Sequence, residues 1–283
     1  MENSTDAQGA EQTETLYAWC VPAWFNGSVL DHTWVTSYDN RTVQHQSIND
    51  VKGAGDFYWY SWGSFHPKGG VPPGRPDGFI VSSGASLSLA RCLCDPNVES
   101  KTHQGARGTI FSYGIDGVCH QLANQILWAT TAVNPQAKTV NGVRGYWLSN
   151  AAYGTYGLQH AAWKAKKAGC QQNQSSTSSA LAMANDPDDF ETHAIETLRG
   201  HATAEQIADL LGHRQQFTTR LALNLRQATS AQELNEQLNR FFARAVEILG
   251  PENFERVFGT PADANFDLVD PKIFEESQKN PNP

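Results

Sequence analysis

Between residues 109 and 128 the chain changes its manner of folding within a few positions. Residues 109–113 read as a strand, and Gly114-Ile115-Asp116-Gly117 as a turn bracketed by glycines. Val118-Cys119-His120-Gln121-Leu122-Ala123-Asn124-Gln125-Ile126-Leu127-Trp128 then reads as an apolar helix. A helix start presents unpaired N–H groups and a partial positive charge. A cysteine in that place is expected to be acidified below the ordinary ~8.5 of a free thiol. The same N–H groups are suited to an oxyanion formed when the thiolate attacks a carbonyl. Cys119 is therefore the candidate nucleophile. Positions 119, 122, 123, 126 and 127 share one helical stripe, so the thiol should face whatever the helix packs on. An inert buried cysteine would lie on the same stripe; its place in the first turn favours chemistry.

The rest of the chain divides around this segment. The first half is strand-like. Residues 16–25 are rich in aromatics, Asn26-Gly27 signals a hairpin turn, and 29–38 read as the return strand. On that strand Thr33, Val35 and Ser37 alternate with His32, Trp34, Thr36 and Tyr38. Residues 56–62, 78–82 and 144–148 are further strand candidates, and the Pro- and Gly-dense 69–76 must be a loop. The second half is helical. Residues 156–168 form one helical stretch, ending at Gly169. Phe190, Ala194 and Leu198 repeat at helical spacing. Thr203-Ala204-Glu205-Gln206 opens a short helix expected to stop at Gly212. Ser230-Ala231-Gln232-Glu233 opens another, closed by Gly250-Pro251. The expected organisation is a disordered start (1–15), an α+β unit (16–170), a polar linker (171–182), a helical unit (183–260) and a tail (261–283) that lies over the surface or is disordered.

A nucleophile needs a base, and the chain has 9 histidines. His32 follows Asp31 on a strand, which would hold it rigidly, and is the best placed base. His66 ends the next aromatic run and is the candidate third member. His120 lies about 100° around the helix from Cys119 and should face Asn124 and Gln121. No metal is expected: the chain lacks His-Glu-x-x-His, Cys-x-x-Cys and His-x-His. No cofactor is expected either, since no phosphate loop or dinucleotide fingerprint occurs. A net charge of −8 with no basic patch excludes a general nucleic-acid role. The 5 cysteines are odd in number and sparse, which argues against a disulfide framework. The polar start is not a signal peptide, and no apolar run approaches the ~18 residues of a membrane span. A cytoplasmic location is the resulting expectation.

The order of a strand histidine in Asp31-His32-Thr33-Trp34-Val35-Thr36, a second histidine one strand later, and a cysteine opening a helix in Gly117-Val118-Cys119-His120-Gln121-Leu122 resembles the circularly permuted papain-like hydrolases related to NlpC and to lecithin–retinol acyltransferase. The resemblance covers roughly residues 16–130. It implies an α+β fold, an antiparallel sheet packed on the nucleophile-bearing helix, here followed by a helical extension. It implies Cys119 as nucleophile, His32 as base and His66 as the orienting residue. The expected activity is hydrolysis or acyl transfer at an amide or ester. Substrates of that kind are a peptide, a peptide-derived metabolite or a lipid ester. Trp34, Trp59, His120 and Asn124 are the expected substrate contacts. The rival reading is a carbohydrate- or peptide-binding β-rich module with an aromatic groove, in which Cys119 is inert.

Overall fold

The computed structural model describes residues 13–23, 30–36, 75–86, 113–129, 139–174, 189–224 and 230–279. Three strands, β1 (Thr13–Pro22), β2 (Asp31–Thr36) and β3 (Arg75–Ser86), make a small antiparallel sheet in the order β2-β1-β3. Val21 pairs with His32, Cys20 with Thr33 and Trp19 with Trp34. Eight helices follow among the described residues: α1 (Cys119–Ala129), α2 (Tyr146–Tyr153), α3 (His160–Gln174), α4 (Asp189–Leu198), α5 (Ala204–Asn224), α6 (Ala231–Leu249), α7 (Pro251–Phe258) and α8 (Pro271–Lys279).

The expected α+β, permuted papain-like fold is therefore corrected: the described chain is mostly helical. Helix α1 meets the strands chiefly along β2, the edge of the sheet. Nor are the later helices an appendage. α2 packs against α4, α5 and α7, and one apolar cluster runs from Ala18 and Cys20 through Leu122 and Tyr146 to Phe242, Phe254 and Phe274. The β-rich reading came from aromatic and β-branched runs. Most of the packed interior comes instead from helical stripes such as Leu234, Leu238, Phe241, Phe242, Ala245 and Leu249 on α6, all buried.

Local capping explains where several helices begin. Ser230 accepts a hydrogen bond from the Glu233 N–H at 3.2 Å. Thr203 and Gln206 form a complete reciprocal box, at 3.1 and 3.0 Å, opening α5. The expected stops fail where glycine stands inside a helix. α3 runs through Gly169 and α5 through Gly212. A glycine there costs roughly 1 kcal/mol, which the packing of Cys170 beyond the first, and of Leu210 and Leu221 around the second, outweighs; all three are buried. The expected strand at 144–148 is corrected too. Gly145, at φ 81, turns the chain into α2, and a Cβ there would overlap Leu30.

The tail is not a surface strap. Phe266, Leu268, Val269 and Phe274 are buried. Asn235 on α6 holds this segment through both amide atoms, donating to the Val269 carbonyl and accepting from its N–H, each at 2.9 Å. Phe266 closes over Phe242 and Phe254, with ring centroids 5.5 and 5.4 Å away. Cys170 is disulfide-bonded, while Cys20 and Cys119 are free and buried. No helix among the described residues is long and apolar enough to cross a membrane. The expected turn at 26–27 and strand at 56–62 lie outside the described residues.

Candidate functional site

Cys119 is the first residue of α1. The turn before it closes tightly, with the Gly114 N–H donating to the Gly117 carbonyl at 2.7 Å and Gly114 at φ 79. A side chain at Gly114 would collide with Val269, 2.8 Å from an added Cβ. Gln121 reaches back to the Val118 N–H at 3.1 Å, and Leu122 makes the first helical bond to the Val118 carbonyl. Cys119 is thus fixed at the helix start by a glycine turn on one side and a side-chain cap on the other.

Strand β2 supplies the other wall. Its outer edge is not left to water. The Asp31 N–H donates to the Arg144 carbonyl at 3.0 Å. The Asp31 carbonyl accepts from His120 Nε2 at 2.9 Å. The Thr33 N–H hydrogen-bonds the Cys119 sulfur. The first turn of α1 therefore satisfies a sheet edge that would otherwise carry exposed donors and acceptors. The Asp31 carboxylate is gripped by Arg144, whose Nε and Nη2 lie 3.1 and 2.7 Å from Oδ1.

The expected acidified thiol is reversed here. Burial pushes the Cys119 thiol up to about 11; hydrogen bonding from Thr33 and the His120 N–H pulls it down without offsetting that cost, and the Asp31 carboxylate adds to the rise. Cys119 is 7% exposed. The helix-end donors are present, but desolvation of the charged form outweighs them. His120 is also buried, and burial holds its ring at about 4, so it is neutral at physiological pH.

His32 is buried on β2, one residue from Thr33 and, by the strand's alternation, on the opposite face of the pleat. Trp34 continues β2, where it pairs with Trp19; its side chain lies outside the described residues, as do His66 and Trp59 altogether. His120 and Asn124 face protein. The Asn124 amide donates to the Thr155 carbonyl at 2.8 Å and to the Tyr146 hydroxyl at 3.3 Å, and accepts from the Val140 N–H at 2.9 Å. Gln125 donates to the Tyr156 carbonyl at 2.6 Å. α1 thus uses its polar side chains to pin the surrounding loops.

Comparison with protein-family models, with curated proteins and with solved structures returns no match. The site has to be read from its own chemistry. Among the described residues no group of three or more His, Cys, Asp or Glu is placed to hold a metal ion. A cavity of about 490 Å³ opens elsewhere, between α5 and α6, lined by His213, Phe217, Arg220, Glu236 and Arg240 among others; Cys119 does not line it. Thr33, Ser149 and Arg144 are the residues that sequence reasoning missed. Thr33 and Ser149 reach the first turn of α1, and Arg144 reaches Asp31 on β2, each across a long stretch of chain, and none sits in a motif. Asp31 alone carried a signal, as the acidic neighbour of His32.

Proposed function

We propose that this chain is a thiol-dependent hydrolase or acyltransferase of amide or ester bonds, with Cys119 as nucleophile. The observation that carries the reading is the seat of Cys119: it opens a helix at the outer edge of β2, with the Thr33 and His120 N–H groups on its sulfur. Donors of that kind suit a sulfur that becomes anionic. Because burial keeps the thiol protonated at neutral pH, deprotonation belongs to the attack itself rather than to a standing ion pair. A general base takes the sulfur proton as the sulfur–carbon bond forms. It returns that proton to the leaving nitrogen or oxygen as the scissile bond breaks. Water, or an acceptor amine or alcohol, then releases the thioester. The substrate is a peptide, a peptide-derived metabolite or a lipid ester.

The test is acyl transfer from 4-nitrophenyl acetate, followed by intact mass and peptide mapping. One acetyl group on Cys119 is expected, lost in Cys119→Ser. Acetylation confined to Cys20 or Lys167 would sink the proposal. A second reading, a non-catalytic binding module, is favoured by the burial of Cys119 and the engagement of both His120 ring nitrogens. It takes over if Cys119 accepts no acyl group.

A further inference from the structure

One imidazole joins two elements beside Cys119. His120 is 1% exposed. Its Nε2 lies 2.9 Å from the Asp31 carbonyl oxygen of β2, and its Nδ1 lies 2.8 Å from Ser149 Oγ on α2. A carbonyl oxygen only accepts, so Nε2 carries a proton. The neutral ring then offers a lone pair at Nδ1, to which the Ser149 hydroxyl donates. Ser149 Oγ accepts in its turn from Gln121 Nε2 at 3.1 Å. The Tyr146 carbonyl lies 2.9 Å from the same hydroxyl. It takes the hydroxyl proton whenever Nδ1 is protonated, so the link holds in both states of the ring. Asp31 is anchored separately by Arg144.

We infer that His120 is a positioning residue: a buried strut between β2 and α2 that holds the first turn of α1 at the strand edge, and so keeps the Cys119 sulfur on the Thr33 N–H. This assignment rests on the reading of Cys119 as the nucleophile. It replaces a substrate-contact role for His120, which would need a ring nitrogen to spare. It also explains why the residue after the nucleophile is a histidine rather than an apolar helix former. A side chain there must donate to an edge carbonyl on one side and accept from a hydroxyl on the other, and among neutral rings only imidazole does both.

The experiment is the pH profile of Cys119 alkylation by iodoacetamide in the full-length chain, read by peptide mapping with Cys20 as internal control. In the unsubstituted chain the rate should climb through alkaline pH toward the elevated thiol midpoint of about 11. In His120→Phe the turn loses its strut and the sulfur meets water. The midpoint should fall toward the ~8.5 of a free thiol, with a rate at pH 8 at least ~10-fold higher, the change for one unit of pKa. His120→Gln keeps a donor for the Asp31 carbonyl and should restore most of the original profile. If His120→Phe does not fold, Ser149→Ala, which removes only the Nδ1 partner, decides the matter by a smaller shift in the same direction. A folded His120→Phe or Ser149→Ala chain with an unchanged profile overturns the strut. Because alkylation needs only the sulfur, the two ideas part cleanly. Shifted profiles without acetyl transfer to Cys119 would leave the strut and remove the enzyme, and acetyl transfer with unshifted profiles would do the reverse.

Discussion

Around Cys119 two local effects oppose each other, and their sizes decide the state of the thiol. A helix start and two backbone donors favour the thiolate; enclosure by Thr33, His120 and the strand edge disfavours any charge, and enclosure prevails. The same enclosure acts on His120 with a measurable consequence. Its ring titrates at about 4 in the folded chain, against ~6.5 when unfolded. Between those values the unfolded chain binds the extra proton, so stability falls as pH drops from ~6.5 to about 4 and is level below. The slope contributed approaches ~1.4 kcal/mol per pH unit. Urea titrations at pH 7 and pH 5 should therefore show a larger acid loss in the unsubstituted chain than in His120→Gln. Equal losses would mean that the ring is not held neutral. Cys119 itself was legible in the sequence because the glycine turn and the helix stripe are local signals. The sign of its pKa shift was not, since it depends on what covers the sulfur, and that cover comes from residue 33, far away in the chain.

At the scale of elements, legibility followed the same line between local and distant causes. Caps are written within four residues, and both the Thr203 box and the Ser230 cap stand where the sequence placed them. Strands β1 and β2 were likewise visible from their aromatic, alternating runs. Residues 144–148 misled because Tyr146 and Trp147 favour strands in isolation. They are helical because Gly145 supplies the positive-φ entry and Tyr146, Leu148, Ala151 and Ala152 are then buried together. Gly169 and Gly212 misled because a weak penalty yields to packing. Two substitutions measure these causes by chemical denaturation. Ser230→Ala should cost ~1 kcal/mol, the usual value of an N-cap. Gly145→Ala should cost more, several times the cap in effect, because it combines a disfavoured φ with overlap on Leu30. A Gly145→Ala chain as stable as its parent would show that the turn before α2 has room to relax.

Across the whole molecule, the interior is one cluster that the last described residues complete. Phe266, Leu268, Val269 and Phe274 are all under a tenth exposed, and Phe266 sits against two rings of the aromatic core. Stopping the chain after Gly259 should therefore do more than trim a tail. Losing four buried side chains, each worth ~1.5–3 kcal/mol, exceeds much of the 5–15 kcal/mol that holds a typical domain together. The expected result is loss of a cooperative urea transition, and a sharp unfolding curve from the truncated chain would contradict it. The Asn235–Val269 pair carries this into the order of events in the cell. A ribosome releases the chain from its first residue onward, so α6 leaves the exit tunnel with its amide pair unmet and Phe242 without its Phe266 cover. The helices must wait in that condition until residue 274 has followed them out. The time between those two moments is when a chaperone has most to hold.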